Sequence, residues 1–289
     1  IAPTALVSRY TGQHVTVALS GDGGDELFAG YWRHRGLRYL QHYRRLPRVL
    51  RRTVIEPMPN RLSAGKGAWL ANRVRQGRKL IRAAGDDPIA DYARFCSILA
   101  PQAETIFMPD ALQAMPSAMI EDTYRHAADA DRHAADLLAR ILAADLRYAL
   151  PADMLHKVDL ASMAAALEVR VPMLDPEVVA FAAAIPSNLK LAGAISKKVL
   201  IDAHRDMLPP AVIDRPKMGF ELPIGQFLKH ELRPMFLDTV TPDLVAAVGW
   251  LDHRGIQQVY DDHLHGRADH GDLLYALMSL VWWWRRWMA

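Results

Sequence analysis

One short run of this chain has clear strand character, and a sheet cannot be built from one strand. That run, HVTVALS (His14–Ser20), is rich in Val and bounded by Gly12 and Gly21, which suits a short buried strand. The patterns after it are mainly helical. The chain is therefore expected to be predominantly α-helical with one or two strands near the N-terminus, and the rest of any sheet to lie upstream. The first residue is Ile rather than Met, which agrees with a piece cut from a longer protein.

The strand runs straight into ALSGDGGDELFAGY (Ala18–Tyr31), where three glycines alternate with Asp22 and Asp25 and Glu26 follows at once. Leu27, Tyr31, Leu37 and Leu40 then recur at helical spacing, which predicts one helix whose first turn holds Asp25 and Glu26, where acids suit the helix dipole. A loop at the carboxyl end of a strand and the amino end of a helix is where open α/β sheets bind ligands. Gly21, Gly23 and Gly24 permit positive φ and close backbone approach, and N–H groups at a helix start suit phosphate. Carboxylates fit the same loop if a divalent cation lies between them and the phosphates, because Mg²⁺ takes one or two carboxylates plus phosphate oxygens. Glycine and aspartate also build ordinary turns, so spacing alone leaves both readings open.

Two later stretches carry charge in unusual settings. Leu137, Leu138, Ile141 and Leu142 mark a helix of about twenty residues ending near Leu150, and Pro151 is expected to start another. The middle of that second helix, LASMAAAL, is small and apolar all round, which predicts burial. Asp153, Lys157 and Asp159 sit in or beside it. Asp153 and Lys157 share a face and form at least an intrahelical pair; if buried they need partners. Glu168 and Arg170 follow in extended chain before Pro172, pointing to one side. The stretch DRPKMGFELPIGQFL (214–228) is a restricted loop in which Lys217, beside Gly219, can reach an anion as a point charge. Further helices are expected around Glu177–Ala183, Ala194–Arg205, Ile224–Glu231, Ile256–His265 and Asp272–Trp287.

Several function classes drop out. The longest nearly apolar stretch, LLYALMSLVWWW, is far short of the ~20 residues that span a bilayer, so it is expected to be a buried helix, with no membrane partner. A single cysteine, Cys96, allows no internal disulfide and suits a reducing, cytoplasmic setting. Between Tyr31 and Arg82 there are fifteen Lys or Arg and one acid, Glu56. Such a block can meet nucleic acid or another polyanion, but its aromatics follow no RRM-, KH- or zinc-knuckle-like pattern; solvated helix faces explain it as well. His263, His265 and His270 lack a cysteine pair and read as polar surface rather than a metal site.

Taken together, LSGDGGDELFAGY, LPADMLHKVDLASMAAALEVRVPMLD, SKKVLIDAH…LPPAVIDRPKMGFELPIGQFL and the closing Trp-rich helix resemble, in order and spacing, the synthetase domain of glutamine-dependent asparagine synthetases. The resemblance covers nearly the full chain and is weakest from Arg35 to about Ala127. It implies an α/β parent domain of ATP-pyrophosphatase type, with a parallel sheet of the adenine nucleotide alpha hydrolase-like kind. Residues 1–289 would be its carboxyl-terminal portion. The implied activity is amidation of aspartate to asparagine through β-aspartyl-AMP, with ATP and Mg²⁺ as cofactors and ammonia drawn from glutamine.

Position by position, the resemblance implies that Ser20 and Gly21 contact AMP within a nucleotide-binding loop that includes Gly23 and Gly24. Asp22 stands where the family has an acid important for adenylate formation. Asp25 would be a Mg²⁺ ligand, Lys217 would stabilise pyrophosphate and the adenylation transition state, and Glu168 and Arg170 align with an E-x-R-x-P stretch beside the substrate. The family's S-G-G-x-D-S nucleotide loop and its glutaminase domain with a terminal cysteine nucleophile are missing, so the chain alone is not expected to complete the reaction. Ala29 replaces a frequent glycine, and Leu160 a frequent arginine. Family members often dimerise, which puts a homodimer among the implied partners. β-Lactam synthetase-like relatives act on another carboxylate, and the acid at position 22 favours the asparagine type. An anion- or nucleic-acid-binding protein using residues 31–82 is the reading from a different class.

Overall fold

The computed structural model describes residues 1–47, 77, 81, 84–99, 102–115, 119–130, 136–213 and 222–288. The chain divides into two compact units. One comprises Ile1–Cys96 and Ile120–Lys217, the other Ser97–Met119 and Met218–Ala289. No helix among the described residues is long and apolar enough to cross a membrane.

The first unit is helical around a very small parallel sheet. A helix at Ala2–Thr11, not expected from the sequence, precedes β1 (Val17–Leu19). β1 pairs in parallel with β2 (Glu168–Arg170), in the register Val17↔Glu168, Ala18↔Val169 and Leu19↔Arg170. Burial of the strand does not hold: Val17 is 40% and Leu19 73% exposed. Two strands cannot cover their own faces, and a parallel sheet normally has both faces covered. The second sheet is a hairpin, β3 (Leu191–Ala192) against β4 (Ile195–Ser196), turned at Gly193 with φ 61°. It replaces the first part of the helix expected over 194–205, which is confined to Lys198–Ala203.

The boundary at Pro151 also differs from expectation. Leu137–Ala144 is α-helical, Asp145–Leu155 is a π-helix with Pro151 inside it, and His156–Met163 is α-helical again. A proline ring would strike the carbonyl one turn back in an α-helix, and a wider turn relieves that clash. The LASMAAAL segment is not buried throughout. Ala161 and Ser162 are buried, but Leu160 is 48% and Met163 62% exposed. Lys157 directs its ammonium to the Met154 sulfur at 3.3 Å rather than to Asp153.

A buried ion network joins these helices. Asp145, at the first π position, accepts hydrogen bonds from His34 Nε2 at 2.9 Å, Tyr92 Oη at 2.6 Å and the Arg33 guanidinium at 3.2 Å. Asp145 and His34 are fully buried. Around them pack Leu37, Ile89, Tyr92, Ala93, Tyr124 and Ile141. Other described arginines of the basic block are also engaged internally: Arg44 pairs with buried Asp91, and Arg35 donates to the Ala194 carbonyl. Residues 48–76 of the block lie outside the described residues.

The second unit is a helical cluster whose core includes Ile106, Phe236, Ile256, Tyr260, Leu274 and Val281. Its final helix, Gly271–Trp287, buries Leu273, Leu274, Leu277, Met278 and Val281, while Trp282, Trp283 and Trp287 remain largely exposed. Only part of the expected buried stretch is therefore covered. His263 is buried and structural: Nε2 donates to the Gly225 carbonyl at 2.8 Å and Nδ1 accepts the His270 N–H at 3.2 Å.

Burial alone would raise the Asp145 carboxyl, but the His34 hydrogen bond and the Arg33 charge outweigh it and hold the group below the usual carboxylate range. A carboxyl lowered on folding stabilises the fold above its unfolded pKa of about 4 and loses that contribution as pH falls through the lowered value. Asp145→Asn should destabilise the full-length protein by about 3 kcal/mol at pH 7, since it leaves the Arg33 guanidinium without its buried anion. In denaturant titrations, the gap between variant and wild type should shrink below about pH 4.

Candidate functional site

The acidic loop begins where β1 ends. Ser20 continues the ladder by donating its N–H to the Arg170 carbonyl at 2.8 Å, so β2 fixes where the loop starts. The Ser20 hydroxyl then donates to Asp22 Oδ2 at 2.6 Å. That bond fixes the rotation of the first carboxylate over the turn. Gly21 has open space around it. Gly23 has φ 82°, and a Cβ there would fall 2.3 Å from Leu174 Cδ2, so both the backbone and the packing require glycine.

The helix expected from Asp25 to about Leu46 is two helices. Gly24–Leu27 is a single turn and Trp32–Arg44 is the longer one. Between them lies Ala29, fully buried and left-handed at φ 56°. The left-handed conformation at Ala29 accounts for glycine being frequent there among the proteins this loop resembles. A one-turn helix also has little macrodipole, so the expected phosphate attraction from a long helix start is weak here.

The three acids of the loop separate into different environments. Glu26 is buried and accepts the Tyr31 hydroxyl at 2.6 Å. Desolvation raises its carboxyl above the usual range, against the lowering effect of that bond. The Tyr31 hydroxyl is raised as well, by burial and by Glu26. Asp22 and Asp25 stay partly exposed. Asp25 Oδ1 lies 2.9 Å from Lys197 Nζ, with these side chains 18% and 26% exposed.

Lys197 is the site residue that sequence reasoning missed. Its N–H donates to the Phe28 carbonyl at 3.0 Å, and its φ of 53° is left-handed. It immediately precedes the helix Lys198–Ala203. Two lysines at a helix start oppose the dipole preference for acids there, and that mismatch was the available signal. Gly30 leaves room for the pair: a Cβ on Gly30 would lie 1.8 Å from Asp25 Oδ1 and 2.3 Å from Lys197 Cε.

The other candidates are only partly gathered. Glu168 and Arg170 stand on the strand beside β1 and pair with each other at 2.7 Å, both largely exposed. Lys217, with residues 214–221, lies outside the described residues. Among the described residues no group of three or more His, Cys, Asp or Glu could hold a metal ion by itself.

The turn gives a direct stability test. Left-handed φ costs an L residue ~1–2 kcal/mol, while the buried Ala29 methyl returns ~0.8 kcal/mol. Ala29→Gly should thus change stability by no more than about 1 kcal/mol, whereas Ala29→Val, branched and overpacked, should lose more than about 2 kcal/mol. Denaturant midpoints of the two variants check this.

Comparison with known proteins bears on the same residues. The asparagine synthase family model matches residues 1–287. A Mycobacterium bovis protein with the provisional name asparagine synthetase (glutamine-hydrolysing) is 30% identical across 98% of the chain and 41% of its own length. Asparagine synthetase (glutamine-hydrolysing) 1 of Bacillus subtilis is 27% identical across 97% of the chain and 42% of its own length. The chain thus spans about two fifths of these relatives. No solved structure matches it. A match that runs through both folded units and takes in the acidic loop, β2 and the Trp-rich helix shows that the chain belongs to the asparagine synthase family.

Proposed function

We propose that the protein carrying this chain converts aspartate to asparagine at the expense of ATP. The observation that carries this reading is the family match over residues 1–287, among relatives named asparagine synthetase. A carboxylate is a poor electrophile. Its oxygen attacks the α-phosphorus of ATP, the bond to the bridging oxygen breaks, and pyrophosphate leaves with the electron pair. The product, β-aspartyl-AMP, has a good leaving group. Ammonia, released from glutamine by a glutaminase domain of the same protein, attacks the acyl carbon, sheds a proton and expels AMP.

In this reading Ser20 and Gly21 contact the nucleotide, and the turn at Gly23–Gly24 lets the backbone approach it closely. Asp22, held by Ser20 Oγ, serves adenylate formation and takes the proton from ammonia. Asp25 is the magnesium ligand, with Asp22 the other carboxylate of the loop; Mg²⁺, when bound, offsets negative charge that builds on the departing pyrophosphate. Lys217 adds a positive point charge to the same group. Glu168 and Arg170 contribute to substrate binding from β2. Glu26, buried against Tyr31, holds the loop.

The full-length protein should exchange labelled pyrophosphate into ATP only when aspartate is present. Asp25→Ala or Lys217→Ala should suppress that exchange by at least ~10²-fold, if each group supplies about 3 kcal/mol to the transition state. Exchange that requires a different carboxylic acid would move the protein to another substrate within the family. Exchange unaffected by both substitutions would overturn the assignment of the site.

A further inference from the structure

Lys197 sits on Asp25 in a way that ordinary surface pairing does not explain. Three features hold it there. Its backbone is locked to the loop through the Phe28 carbonyl. It adopts a left-handed conformation that costs an L residue energy. Gly30 leaves the space in which the two side chains meet, since a single added carbon would overlap Asp25 Oδ1 and Lys197 Cε. The lysine stem also passes the Gly24 backbone, with Nζ 3.6 Å from where a Cβ would stand. A loose surface pair keeps none of these constraints and contributes little.

We propose that Lys197 is a positioning residue that occupies Asp25 until a divalent cation arrives as its nucleoside triphosphate complex, so that the loop discriminates against the bare cation. This rests on the reading of Asp25 as a metal ligand. The physical argument is charge balance. A bare divalent cation approaching Asp25 Oδ1 meets an ammonium already 2.9 Å from that oxygen, and the repulsion between them opposes binding. A triphosphate carries enough negative charge to offset both cations together. Lys197 therefore lowers affinity for the ion alone and leaves the loaded nucleotide unopposed.

The test uses Mn²⁺ as the probe, followed by electron paramagnetic resonance in the full-length protein without nucleotide. Lys197→Met should bind Mn²⁺ at least about tenfold more tightly than wild type, and Asp25→Asn in the same background should abolish the gain. Lys197→Arg keeps the charge and should keep wild-type affinity, which a merely structural lysine would not predict. Lys197→Gln replaces Met if that variant does not fold. Unchanged or weaker Mn²⁺ binding in the charge-neutral variants would overturn the inference, even with aspartate-dependent exchange intact in wild type. Conversely, Asp25-dependent tightening without any pyrophosphate exchange would leave the inference standing and remove the proposed function.

Discussion

The acidic loop depends on a steric vacancy. Asp25 and Lys197 meet over Gly30, where any side chain would overlap both. That contact ties the turn after β1 to a segment about 170 residues later in the chain. Ala29 is left-handed directly before Gly30, and Gly23, without a Cβ, leaves the space that Leu174 fills. The local backbone strain is held in place by burial of Leu27, Phe28 and Ala29 against helices on either side.

Directly behind the loop lies the buried polar network. Tyr31 caps Glu26, Arg33 lies over the Tyr31 ring, and Arg33 and His34 reach Asp145. Loop and π-helix are therefore joined by hydrogen-bonded polar groups as well as by apolar contact, with Asp145 Oδ2 accepting all three bonds while Asp145 Oδ1 and His34 Nδ1 have no hydrogen-bond partner. Such networks define one geometry, because any displacement leaves a buried charge without its partner. The placement of the third acid follows from this. Glu26 is buried against Tyr31, whereas Asp22 and Asp25 stay partly exposed, Asp25 with one oxygen covered beside Lys197.

Much of this was legible in the residues. The Val-rich run, the glycine spacing and the helical periodicities located β1, the loop and most of the later helices, since each is a local pattern. Joint order of several motifs indicated the family before any geometry was seen. What failed was non-local. HVTVALS reads as a buried strand, yet in this chain its faces are open, because burial depends on neighbouring strands. Pro151 reads as a helix start, yet it sits inside a π-helix, where the wider turn accepts its ring. Lys197 was passed over because its meaning comes entirely from the residue opposite.

The sequence by itself determined the strand-to-loop signal, the need for flexible backbone at the glycines and the family to which the motifs belong, because these reside in residue types a few positions apart. Tertiary structure alone decided which of the three acids is buried, which lysine meets Asp25, and where the chain turns left-handed. Those outcomes follow from excluded volume and the desolvation of charge, and both depend on segments brought together from distant parts of the chain.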